Sequence, residues 1–214
     1  MAFDFGDLFE DGPILRLLDF TDGSTLEDDL VRFCRTVRSC AQADWVMPLN
    51  AVAALLELTA EKVSTAAPGT IPERFGQKLH RAAGDMAGPE YLRMLAELIR
   101  PFDRQAIPSV RELPLGSLEI RVRFPRTIDF GLSWIAPGEH TTDEEAITAG
   151  VESEHPSRCI DVIPLLAAEV QELLMLFPSD EELTHAVRGE ISWVSRPVLD
   201  DIIRLAAAHM AQPH

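Results

Sequence analysis

Positive charge is scarce at both ends of this chain, and that scarcity excludes several functions. Against 35 Asp and Glu the 214 residues offer only 19 Lys and Arg, a formal net charge of −16. Residues 1–50 hold 10 acidic and 4 basic residues and residues 137–214 hold 15 and 4, while the stretch between them is nearly balanced. Nucleic-acid affinity rests largely on Lys and Arg displacing counterions from phosphate, so general DNA or RNA binding is not expected. A helix-turn-helix reader built from residues 180–204 fails for the same reason, with six acids there against three bases.

Long apolar runs are also missing. The richest stretch, 162–177, is broken by Pro164, Glu169 and Glu172, short of the roughly 18–20 apolar residues that span a bilayer. No transmembrane helix and no membrane partner are expected. Residues 1–11 carry four acids and no base, the opposite of a targeting peptide, which makes the cytoplasm the expected compartment. Cysteine is sparse: Cys34, Cys40 and Cys159 make an odd count without a CxxC pair, so neither a disulfide framework nor a zinc ribbon is indicated. The glycine-rich phosphate loops and the HExxH metalloprotease signature are absent too. Gly131-x-Ser133 matches only the front half of a nucleophile elbow, and an alternating strand explains Ser133 more simply.

What is present is enough apolar residue, 46%, for a real core. Helical spacing predicts helices over 24–41, 48–63, 72–86 and 90–100, the first opened by the capping-box pattern Ser24-x-x-Glu27 and the second and third by Pro48 and Pro72. From residue 117 the pattern changes. Leu118, Ile120, Val122 and Phe124 alternate with Glu119, Arg121 and Arg123, and Ile128, Phe130, Leu132 and Trp134 alternate again after Pro125. That predicts a β-hairpin, extended by candidate strands at 158–163 and 190–195. Residues 137–154, with six acids and no base, read as an exposed loop, followed by helices after Pro164, Ser179 and Pro197. The expected fold is therefore α+β, mainly helical, with a small antiparallel sheet built on a central β-hairpin. Its divisions would be an N-terminal arm over 1–23, a helical subdomain over 24–106, and a β-hairpin with C-terminal helices over 107–214, the last two possibly continuous.

Two sets of residues suggest contact with another molecule. Phe3, Phe5, Leu8 and Phe9 are interleaved with Asp4, Asp7, Glu10 and Asp11, the form of a docking peptide whose aromatics fill a groove while its charges steer toward a basic rim. An arm packed on its own domain would use the same residues. Arg121, Arg123 and Arg126 form the one compact basic cluster, suited to an acidic peptide, a phosphate or the chain's own acidic loop.

For metal chemistry, Glu152-x-x-His155 and Glu182-x-x-His185 repeat the spacing of di-iron carboxylate bundles. Pro156 directly after His155 disfavours helix at that residue, however, and chance spacing suffices in so acidic a chain. His140 with Asp143, Glu144 and His155 could instead hold a divalent ion within the loop. The paired acids Asp28-Asp29 and Asp200-Asp201 lie near Arg32 and Arg204 at ordinary ion-pair spacing. No cofactor is expected. The sequence points to a non-catalytic interaction or assembly protein whose partner is another protein, preferably basic, or a second copy. The competing expectation is a hydrolase or metal-dependent enzyme whose ligands come from His140, Asp143, His155, Glu182 and His185.

Overall fold

The computed structural model describes residues 13–19, 25–39, 47–67, 69–187 and 190–212. The expected N-terminal docking residues Phe3, Phe5, Leu8 and Phe9, together with Ser24 and Cys40, lie outside them. Every regular element among the described residues is helical: α1 (Pro13–Asp19), α2 (Leu26–Ser39), α3 (Leu49–Thr65), α4 (Glu73–Ala83), α5 (Gly88–Ile99), α6 (Ser117–Arg123), α7 (Pro125–Phe130), α8 (Asp143–Glu152), α9 (Cys159–Leu176), α10 (Asp180–Val187) and α11 (Arg196–Met210). A 3-10 turn, Arg100–Asp103, follows α5, and a π-helical turn, Gly131–Ile135, follows α7. Among these residues no helix is long and apolar enough to cross a membrane.

The expected sheet is wrong. Residues 117–130 form α6 and α7, the π turn replaces the second strand, and the candidate strands become the start of α9 and a turn before α11. The alternating pattern misled because it assumed that charged residues face water. Glu119 and Arg123 are both buried, so the inward set is Glu119, Ile120, Arg123, Phe124 and Thr127, which recurs at helical rather than strand spacing. Each buried charge has a partner. Glu119 receives Arg35, and Arg123 meets Glu172 at 2.9 Å. Pro125 then breaks α6 and opens α7 from its first turn, where a missing N–H costs nothing.

Two further expectations fail on small residues. Residues 143–152 are not loop but α8, entered through Thr142, whose Oγ1 accepts the Glu145 N–H at 3.2 Å. Its acidic first turn suits the positive end of the helix dipole. It buries Ala146, Ile147, Gly150 and Val151, a narrow face that works because its neighbours come close. A Cβ on Gly150 would lie 2.6 Å from the Phe130 ring. Pro164 likewise does not open a helix but sits inside α9. The Ile160 carbonyl then loses its helical donor, a loss that water offsets because both residues are exposed.

The chain divides into two compact units, Met1–Glu119 and Ile120–His214. In the first, α3 and α5 pack along one another, and Val52, Ala53, Leu56 and Ala60 share a core with Leu92, Leu95, Ala96 and Ile99. Each fully buried leucine there contributes about 1.5–3 kcal/mol. α2 adds Phe33, Cys34 and Val37 to this core, and its arginines reach outward to the segment after α5. Arg32 donates to Pro114 O, Arg35 to Pro108 O and Leu113 O, and Arg38 to Phe102 O and Gln105 O. In the second unit α9 packs on α11, α8 on α11 and on the π turn, and α7 on α9. Gly131 lets the π turn pass beneath Trp193, since a Cβ there would lie 1.8 Å from the indole.

Glu169 of α9 ties α7 in place. Its carboxylate accepts the Thr127 N–H at 2.9 Å, the Thr127 hydroxyl at 3.2 Å and Arg126 at 3.0 Å. Burial pushes its pKa up, against the opposing pull of those bonds. A folded pKa above the unfolded one means that this group favours the folded state most in acid, and less as pH rises through the raised value. Glu169→Ala leaves the Thr127 donors without their acceptor and is expected to cost about 2–3 kcal/mol in urea unfolding. A loss below ~0.5 kcal/mol would show that water replaces the carboxylate.

Candidate functional site

Three metal-ligating side chains converge in the second unit, from three places in the sequence. His155 stands in the turn between α8 and α9, Cys159 is the first residue of α9, and His209 lies in the last turn of α11. The packing of α9 on α11 brings the beginning of one helix to the end of the other. His209 Nε2 is 3.1 Å from Cys159 Sγ, and His155 Nδ1 is 3.8 Å from the same sulfur. All three ligand atoms fall within 4.8 Å of one another, and the two imidazoles meet edge to face at 5.6 Å. Cys159 and His209 are buried while His155 is exposed, so the cluster has one wet side. A cleft of about 90 Å³, lined by Thr148, Val151, Glu152, Leu205 and His209 among others, opens beside it.

A Cys–His pair also suggests a nucleophile. Cys159 is fully buried, however, which keeps its sulfur from a substrate. Two imidazole nitrogens and one sulfur instead form a donor set for a borderline-soft ion.

Of the five expected metal ligands only His155 belongs to this cluster, which is the one such grouping among the described residues. His140 lies tilted beside Trp134, ring centroids 6.5 Å apart, and Asp143 opens α8. Glu182 accepts the Ser179 N–H as a helix cap, and His185 is exposed in the last turn of α10. The repeated Glu-x-x-His spacing therefore forms no shared site: His155 is in a turn and His185 on a helix. Sequence reading missed Cys159 and His209. His155-x-x-x-Cys159 places two ligands about one helical turn apart, a readable signal, but His209 is fifty residues further on and joins only through tertiary packing.

The basic cluster is engaged within its own unit. Arg121 pairs with Glu190 at 2.7 Å, Arg123 with Glu172 and Arg126 with Glu169. The acidic residues of 137–154, one of the expected partners, are not the ones these arginines meet. Asp29 and Asp201 pair with Arg32 and Arg204, as their spacing suggested.

No family model, curated protein or solved structure matches this chain.

A second feature lies on α9, the most apolar of the long helices. Its inner face buries Ile163, Leu166, Val170 and Leu173. The outer face presents Ile160, Pro164, Ala168, Gln171 and Met175, all exposed and uncharged, with Leu165 alongside. Ile160 is 67% exposed and Met175 82%. These five positions fall within about 80° of one another around the helix axis, a continuous stripe.

Cys34 is buried in the first unit. Burial pushes its thiol from 9.0 up to about 12, only partly offset by Arg38. A thiol-specific alkylating reagent at pH 8 is expected to leave Cys34 unmodified in the native protein and to label it in denaturant, as peptide mass spectrometry would show. Native labelling at the unfolded rate would mean that the core around Phe33 and Val37 opens freely.

Proposed function

We propose that the protein is a non-catalytic interaction module that receives a basic-rimmed amphipathic helix of another protein on the outer face of α9. The observation carrying this reading is the uncharged stripe from Ile160 to Met175, whose two large apolar side chains, at its ends, are 67% and 82% exposed. A helix laid along it would bury anchors at i, i+4 and i+7, and Met175 supplies a side chain that adapts to varied partners.

Charge selects the occupant. Residues 120–214 hold 16 acids against 7 bases, and Arg121, Arg123, Arg126, Arg158 and Arg204 are already paired with carboxylates. The unit thus carries unbalanced negative charge, and the exposed Asp161 follows Ile160 directly on α9. A second copy would bring like charge to the contact, whereas Lys and Arg beside an apolar helix face would be attracted.

The test is selection of binders from a displayed library of helical peptides, using the full chain as bait. Selected peptides are expected to combine apolar anchors at helical spacing with Lys or Arg, and to weaken as salt rises. Ile160→Asp and Met175→Asp should each weaken them at least ~10-fold, since central apolar anchors dominate such interfaces. Acidic or neutral binders, or binders indifferent to both substitutions, would refute the reading. So would a dimer in light scattering that Met175→Asp converts to monomer, since the stripe would then be covered by a second copy.

A further inference from the structure

We propose that His155, Cys159 and His209 bind a single divalent ion of the zinc class through His155 Nδ1, Cys159 Sγ and His209 Nε2. This inference is independent of the docking face. In tetrahedral coordination, metal–nitrogen bonds of about 2.0–2.1 Å and a metal–sulfur bond of about 2.3 Å place the ligand atoms about 3.4 Å apart for two nitrogens and about 3.6 Å for nitrogen and sulfur. The observed nitrogen-to-sulfur distances of 3.1 and 3.8 Å bracket that value. The two nitrogens, within 4.8 Å of one another, would have to close to about 3.4 Å, which needs rotation of the exposed His155 side chain. A hydrogen bond between His209 and Cys159 accounts for the shorter distance alone. A second such bond links Cys159 to His155 Nδ1 at 3.8 Å, so hydrogen bonding accounts for both distances and metal titration decides between the two readings.

The donor chemistry narrows the ion. Two imidazoles with one thiolate suit zinc and its neighbours in the first transition row, whereas calcium and magnesium prefer oxygen ligands. On binding, Cys159 releases its proton to solvent as the sulfur–metal bond forms, and both imidazoles bind through neutral nitrogen lone pairs. Three protein ligands leave a fourth position for water or another small donor. The adjoining cleft of about 90 Å³ has room for water. The ion would join the turn before α9 to the end of α11, two places about fifty residues apart in sequence.

The full chain, stripped with a chelator, is titrated with Co²⁺ and then with competing Zn²⁺. One equivalent of cobalt is expected to give the intense visible bands of a tetrahedral site together with a thiolate-to-metal charge-transfer band. Cys159→Ser should abolish the charge-transfer band. Loss of a partner that merely orients a ligand costs 10–100-fold in affinity, so His155→Ala should weaken zinc at least ~100-fold. Because His155 is exposed, that variant keeps its fold, which far-UV circular dichroism checks should Cys159→Ser fail. Zinc should also raise the thermal midpoint of the native chain but not of His155→Ala. His185→Ala should bind as the native chain does. A cobalt spectrum without the thiolate band, weak octahedral binding to surface carboxylates, or zinc affinity unchanged by His155→Ala would each overturn the site.

Discussion

Glu119→Ala is expected to cost about 3–5 kcal/mol, the largest loss from any single side chain described above, because it breaks a buried ion pair. Glu119 is 0% exposed, and its two oxygens accept Arg35 Nε at 2.7 Å and Nη2 at 2.6 Å. The remaining Arg35 nitrogen is occupied by two backbone carbonyls. Removing the carboxylate takes away this buried ion pair, in a place where water enters poorly. Urea unfolding should show the midpoint falling with little change in slope. Combining Glu119→Leu with Arg35→Met should lose less than the two single changes added together, since each single change already breaks the same buried ion pair. A loss below ~1 kcal/mol for Glu119→Ala would mean that the guanidinium swings out to solvent.

Gly131→Ala is expected to cost about 3 kcal/mol, the upper end of the range for forcing atoms into a packed interior. The added methyl would sit 1.8 Å from Trp193 Cε2 and 2.1 Å from Nε1. An indole cannot bend away at its far end as a lysine would, so either the ring or the π turn has to move. Gly76→Ala in α4 provides the contrast. A Cβ there meets nothing within 4 Å, and helix propensity alone should stabilise the protein by about 0.5–1 kcal/mol. Thermal unfolding of both variants side by side separates collision from propensity. Equal effects from the two substitutions would rule out close packing as the reason for Gly131.

Helices α2 to α5 were legible because their apolar residues recur at 3.6-residue spacing and their starts carry proline or capping residues, whereas α1, inside the expected arm, was not. Pro48 and Pro72 directly precede α3 and α4, and Pro89 lies in the first turn of α5. The region 117–135 was not legible for a specific reason. Period-two patterning identifies strands only if charged residues mark the outside, and Glu119 and Arg123 are inside, neutralised by partners 84 and 49 residues away. No local window contains those partners. Residues 143–152 failed in the opposite sense, since Ala146 and Gly150 carry little apolar weight yet are buried, Gly150 against Phe130 and Trp134. The metal cluster divides in the same way: His155 and Cys159 stand four residues apart, while His209 is supplied by the docking of α11.

The arginines of α2 hold the segment after α5 by its carbonyl oxygens, through five hydrogen bonds from Arg32, Arg35 and Arg38. Ladders of secondary structure engage donors and acceptors together, but a guanidinium can only donate. The amide protons of Ile107, Val110 and Arg111 accordingly donate to no backbone carbonyl among the described residues. In a deuterium-exchange map those amides should label at nearly the open-chain rate, although the chain there is fastened in place. Rapid exchange over this stretch would register one-sided hydrogen bonding rather than motion, and a protease that needs several residues of slack should still cut it slowly.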